Sequence, residues 1–168
     1  MGKRYRIEDV KATIQEIASS NDRASAIVGG SFVDGALDYI ITSRLMAVTP
    51  GDENALYSVG GPLHSCDQKI KMAHALGLLG PRAKKDLELI NEIRNTFAHN
   101  MNEMSFAAEN IAKKCEAIYA GSEKQSTGDS VSGKDRFVFA IQWYLVFLIE
   151  EANDKPDNKL KIVTRHWE

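Results

Sequence analysis

The stretch PRAKKDLELINEIRNTFAHN, residues 81–100, determines the fold class because its apolar residues recur at helical spacing. At an advance of about 100° per residue, four apolar residues fall within about 60° of Ile90 on a helical wheel: Ala83, Leu87, Ile93 and Phe97. Pro81 suits the first position of a helix, where its missing N–H group would have no partner in any case. The stretch therefore predicts an amphipathic helix with one face against a core.

Similar patterns predict helices along most of the chain. The predicted helices cover residues 7–19, 23–48, 66–79, 81–99, 106–119 and 134–152. Asn21 or Asp22, Ser65 and Ser105 are the expected N-caps of the second, third and fifth helices. Pro50 and Gly51 are expected to end the second helix, and the residues 51–65 that follow are expected to form an irregular loop.

The chain has 168 residues, 43% of them hydrophobic, which is enough for one domain with its own core. We find no strand-rich region, internal repeat or phosphate-binding glycine loop in the sequence. These features predict an all-α, single-domain helical bundle of about six helices. The domain is expected to span residues 1–152, with a flexible linker at 121–133 inside it and a polar tail at 153–168.

Charge and composition exclude several classes of protein. The 21 Lys and Arg residues against 23 Asp and Glu residues give a net charge of −2, a poor match to nucleic acid, so direct DNA binding is disfavoured. The most apolar run, residues 137–149, is shorter than the roughly 20 residues that span a bilayer. Cys66 and Cys115 are too few and too far apart for a disulfide framework or a zinc site. We therefore expect a cytoplasmic protein without a metal or other cofactor.

The run FVFAIQWYLVFLI, residues 137–149, is apolar on nearly every side of a helix. A helix on the surface of a globular protein keeps a polar face. This helix is therefore expected either to lie at the centre of the bundle or to be covered by another chain, and the second arrangement allows a homodimer.

Arg94 falls inside the apolar arc of its helix, about 40° from the centre of that arc. An unpaired buried guanidinium is costly, so Arg94 needs an acidic or hydrogen-bonding partner, or a ligand. Asp34 in the second predicted helix shares an inward-facing stripe with Ile27 and Ile41. We therefore predict a structural Asp34–Arg94 ion pair, with Asp38 as the alternative partner.

His99 lies five residues after Arg94, about 140° further around an ideal helix, whereas Asn95 is on the same face as His99. One regular helix therefore does not aim Arg94 and His99 at a single phosphate. A joint site would need the reach of the long Arg side chain, an unwound last turn or a second subunit. A histidine in the last helical turn also has a purely structural interpretation, because its charge suits the helix dipole.

Three stretches of the chain, in this order, resemble the mannitol operon repressor (MtlR-like) family of bacterial proteins. They are NDRASAIVGGSFVDGALDYII at residues 21–41, GGPLHSCDQKIKMAHALGLLGPRAKKDLELINEIRNTFAHN at 60–100 and KDRFVFAIQWYLVFLIEE at 134–151. The chain departs from the family in His64, Cys66, a Ser- and Gly-rich insert after Tyr119 and a longer tail. The resemblance implies an all-helical regulator of carbohydrate-uptake genes that acts through a protein partner rather than by reading DNA.

The element RNTFAH, residues 94–99, also resembles the R-x(4–6)-H motif of the HEPN superfamily. That resemblance implies a metal-independent endoribonuclease of a toxin or antiphage system, working across a dimer with RNA as its substrate. Arg94 would then stabilise the phosphate, His99 would transfer protons, and Asn95 would orient His99 or the phosphate. We favour the regulator over this enzyme, because clusters of charged residues are often structural.

Overall fold

The computed structural model describes residues 6–45, 50–120 and 131–154. Within these ranges the chain forms seven α-helices and no strand, which confirms the predicted all-α bundle. The helices are α1 (Ile7–Ser19), α2 (Asp22–Arg44), α3 (Pro50–Tyr57), α4 (Cys66–Ala75), α5 (Pro81–His99), α6 (Glu109–Ala117) and α7 (Gly133–Asp154).

The helix α2 lies at the centre of the bundle, in contact with α1, α4, α5 and α7. Its most extensive contact is with α7, and its residues Leu37 and Ile40 are fully buried. A chain of three aromatic rings joins α5 to α7 through the segment before α6, because Phe106 lies between Phe97 at 4.9 Å and Phe137 at 5.2 Å, centroid to centroid. One continuous apolar core therefore holds the described helices together.

The apolar character of α2 follows from this central position. By length and composition alone α2 could cross a membrane, with a mean hydropathy of 1.3 over its most apolar window, and half of that window is buried inside the protein. Packing against four other helices is what the core helix of a water-soluble bundle shows.

Several helix starts are confirmed. The side chain of Asn21 accepts a hydrogen bond from the Ala24 N–H group and caps α2. Ser65 and Gln68 form a reciprocal capping box at the start of α4. Pro81 occupies the first turn of α5 as predicted.

The loop predicted for residues 51–65 was wrong in its first half, where α3 forms. Pro50 begins this helix instead of ending the previous one, and Asp52 and Glu53 in its first turn suit the positive end of the helix dipole. Gly61 packs against the end of α3 so closely that a Cβ atom would lie 2.4 Å from the Ala55 carbonyl oxygen. Only glycine fits at that position.

Three other predicted boundaries moved. The helix α4 ends at Ala75 rather than at residue 79, because Gly77 already has a positive φ of 73°, and Gly80 is the N-cap of α5. The helix α6 begins at Glu109 without a side-chain cap, so Ser105 does not serve as one. Most of the predicted linker and of the polar tail lies outside the described residues, and α7 already includes Gly133 and Asp154.

A buried carboxylate joins α5, the end of α6 and α7. Asp86 is 2% exposed and accepts hydrogen bonds from the N–H groups of Tyr119 at 2.9 Å and Ala120 at 2.8 Å. It also accepts one from the Tyr144 hydroxyl at 2.9 Å. Burial, followed by the charge of Asp86, raises the pKa of Tyr144, so this phenol stays protonated and donates. Sequence periodicity gave no signal for this cluster.

Candidate functional site

A polar cavity of about 320 Å³ lies between α2, the start of α4 and the second half of α5. It is lined by Gly30, Ser31 and Asp34 of α2, by residues 64–67, and by Asn91, Arg94 and Asn95 of α5. We call it the Arg94 cavity. Amide, hydroxyl, carboxylate and guanidinium groups converge here, as in sites that bind a polar ligand or a side chain of another protein.

Arg94 is half-buried in this cavity and keeps most of its bonding capacity. Its Nη1 atom donates a hydrogen bond to Asn95 Oδ1 at 2.8 Å. Among the described residues, no carboxylate forms an ion pair with it. A guanidinium has five N–H donors in a fixed fork, so Arg94 can still bind a carboxylate or another anion.

Gly30 makes room for the stem of Arg94 between α2 and α5. A Cβ atom at position 30 would lie 2.6 Å from Arg94 Cγ and 2.8 Å from Arg94 Cβ. Both atoms are at the fixed end of the arginine side chain, so they cannot swing away. Because Gly30 has no side chain, the stem of Arg94 can pass close to the backbone of α2, and its guanidinium reaches the cavity.

Gly30→Ala is expected to lower the free energy of unfolding by about 1–3 kcal/mol, because the two helices must move apart around the added methyl group. Chemical denaturation followed by circular dichroism measures the change. Ser31→Ala, at the exposed next position of α2, is the matched control and is expected to change stability by less than about 0.5 kcal/mol. A Gly30→Ala variant as stable as this control would contradict the close packing.

The predicted Asp34–Arg94 ion pair is wrong, because Asp34 pairs with Lys69 instead. Lys69 Nζ donates to both carboxylate oxygens of Asp34 at 2.9 Å and lies 2.8 Å from Asp38 Oδ1. The Asp38 contact is an ion pair without hydrogen-bond geometry, since that oxygen is buried without a hydrogen-bond partner. The alternative pair, Asp38 with Arg94, does not form either. The cation comes from α4, which packs directly on α2.

Burial and charge set the protonation of this cluster. Burial alone would lower the pKa of Lys69, but its interactions with the carboxylates of Asp38 and Asp34 raise the pKa above the ordinary value of 10.5. Burial raises the pKa of Asp38, against the opposing effect of Lys69. Burial, and then the nearby charge of Asp34, raises the pKa of Cys66 to about 12, so Cys66 is a neutral thiol rather than a nucleophile at neutral pH. Burial likewise raises the pKa of Cys115 to about 12.

The structure brings Arg94 and Asn95 together in the cavity, but not His99. His99 is the exposed last residue of α5 and is not part of the cavity lining. The endoribonuclease interpretation therefore stays a prediction. Within the described residues of one chain, Arg94 and His99 do not line the same cavity. Nor do three or more His, Cys, Asp or Glu side chains of the described ranges form a group that could hold a metal ion.

A second surface lies on the outer face of α7. A shallow groove of about 350 Å³ is lined by Phe139, Gln142, Trp143, Val146, Phe147 and Glu150, which we call the α7 aromatic surface. Trp143 is 44% exposed and stacks on Phe147 with ring centroids 5.4 Å apart. The expectation that α7 is central holds for one side of the helix, and the other side remains apolar and open.

Comparison with known proteins supports the fold and goes no further. No family model and no curated protein matches the chain. One chain of the X-ray structure of the MtlR–HPr complex from Escherichia coli is similar, with a TM-score of 0.68 and 13% sequence identity. The alignment covers 83% of this chain and 97% of that chain. The described protein is thus an all-helical bundle with an MtlR-like fold.

Proposed function

We propose that this chain is a regulatory protein of the MtlR type that acts by binding a partner protein. The observation that carries the proposal is the similarity to nearly the whole of a chain that was solved in a complex of MtlR with HPr. The net charge of −2 supports a protein partner over direct contact with DNA. HPr from the same organism is therefore the first partner to test.

We place the partner contact at the Arg94 cavity. Asp34 shares Lys69 with Asp38, and Asp67 pairs with Lys71 at 2.7 Å. Arg94 is therefore the charged lining residue without an ionic partner among the described residues. An Asp or Glu side chain of the partner, inserted into the cavity, would form a forked pair with this guanidinium. More specifically, we propose that the chain controls a mannitol operon, and the sequence resemblance supports this.

Titration of HPr into the purified chain in a calorimeter is expected to give saturable binding. Arg94→Gln is expected to weaken binding at least ten-fold, because a hydrogen bond to a charged group contributes about 1.5–3 kcal/mol. Glutamine keeps a stem that packs against Gly30, so the fold should be unaffected. Arg82→Gln removes the same charge from an exposed site on the same helix and is expected to leave the affinity unchanged.

The outcomes separate the partner from its site. Absence of binding by the wild-type chain at high concentration would exclude HPr as the partner. Equal affinities of wild type and Arg94→Gln would keep the partner and exclude the Arg94 cavity as its contact.

A further inference from the structure

Two aromatic and two charged residues of α7 are arranged symmetrically about Trp143. Phe139 and Phe147 lie four residues before and after it, and Arg136 and Glu150 lie seven residues before and after it. Residues four and seven apart share one face of a helix. The aromatic residues of the α7 aromatic surface therefore form a stripe that has Glu150 at one end and Arg136 just beyond the other.

This stripe stays open although the opposite side of α7 is part of the core. Phe137 and Ile141 on the inner side are fully buried. Trp143 is exposed, and Phe139 and Phe147 are only half-buried. A contiguous apolar patch of this kind commonly marks a contact with another molecule.

The two charges at the ends of the stripe have no ionic partner among the described residues. Arg136 and Glu150 are about 21 Å apart along the axis of α7, too far to pair with each other in one chain. Two antiparallel copies of the helix would bring each Arg136 opposite the Glu150 of the second copy. The charges would then pair twice, once at each end, without any change in the rest of the chain.

We propose that the α7 aromatic surface is the contact between two copies of this chain, with a two-fold axis through Trp143. In a two-fold contact the same patch must fit itself, and each residue meets the one equally far on the other side of the axis. Phe139 then packs on Phe147 of the second copy, and the two Trp143 rings meet at the centre. A shallow crossing angle of about 20° keeps the ends of the helices close enough for the ion pairs. The proposed contact does not include the residues that line the Arg94 cavity, so that cavity can bind a different partner.

Sedimentation equilibrium of the full chain over a range of concentrations tests this contact. The wild type is expected to form a concentration-dependent dimer. Arg136→Glu and Glu150→Arg each place like charges opposite one another and are expected to weaken the dimer at least about ten-fold. The double variant Arg136→Glu/Glu150→Arg restores opposite charges and is expected to regain most of the wild-type affinity.

Lys85→Glu reverses a charge at an exposed site of α5 and is the control that should leave the dimer intact. Circular dichroism of each variant shows that it is folded. A wild type that stays monomeric at high concentration, as it would if another protein or a membrane covered the surface, would overturn the proposal. A dimer that survives both single reversals, or one that the double variant does not restore, would overturn it as well.

Discussion

Replacement of Asp86 by alanine is expected to lower the free energy of unfolding by about 3–5 kcal/mol, because one buried and two partly buried donors lose this acceptor. Those donors are the N–H groups of Tyr119 and Ala120 and the hydroxyl of Tyr144. The substitution would free the end of α6 from α5 and α7 at once. Urea denaturation followed by circular dichroism measures the loss.

Two variants test whether the hydrogen bonds cause this loss. Tyr144→Phe removes one donor together with its bond and is expected to cost only about 1 kcal/mol. Glu116→Ala, at an exposed position of α6, is expected to change stability by less than about 0.5 kcal/mol. If Asp86→Ala were no more destabilising than Tyr144→Phe, the carboxylate would not hold the three segments together.

Lys69→Met is expected to lower the free energy of unfolding by about 2–4 kcal/mol, because it leaves two neighbouring carboxylates without a cation. Lys69 is 4% exposed, and Asp34 and Asp38 are four residues apart on the same face of α2. The side chains of Asp34 and Asp38 are more than one-third exposed, so water moderates the cost. Denaturant titration at neutral pH measures it.

The pH dependence of the stability difference between wild type and Lys69→Met is the control for this prediction. The raised pKa of Lys69 means that its stabilising effect is complete below pH 10.5 and is lost as the pH rises through the raised value. The stability difference between wild type and Lys69→Met should therefore shrink in strong alkali. It should also shrink in acid, where Asp38, whose pKa is raised by burial, becomes protonated. The triple variant Lys69→Met/Asp34→Asn/Asp38→Asn should recover much of the stability, and a triple variant as unstable as the single one would contradict the ion-pair explanation.

Local patterns in the sequence were sufficient for the fold class and for several helix starts. Asn21, Ser65 and Pro81 act within one helical turn, so their roles can be inferred without knowing the tertiary structure. The helix α3 was missed because PGDENALY has almost no apolar face and is followed by the turn-forming residues Gly60, Gly61 and Pro62. Its start depends on Pro50, and proline can equally well follow the end of a helix.

The site was only partly predictable, because periodicity gives the direction of a side chain and not its neighbour. Asp34 does face another helix, but that helix is α4 and the partner is Lys69. Two carboxylates four residues apart at Asp34 and Asp38 were the available signal, since such a pair needs a cation. The calculated angle between Arg94 and His99 agrees with their separation in the structure, where one lines the cavity and the other is exposed.

The rate at which the two cysteines are alkylated would also report unfolding of the chain. A thiol whose pKa is about 12 is hardly ionised at neutral pH, and only the thiolate reacts quickly with alkylating reagents. Cys66 lies at the edge of the Arg94 cavity, whereas Cys115 is a fully buried residue of α6. Modification of Cys66 alone would report local unfolding at the edge of the Arg94 cavity. Modification of both cysteines would report global unfolding of the bundle.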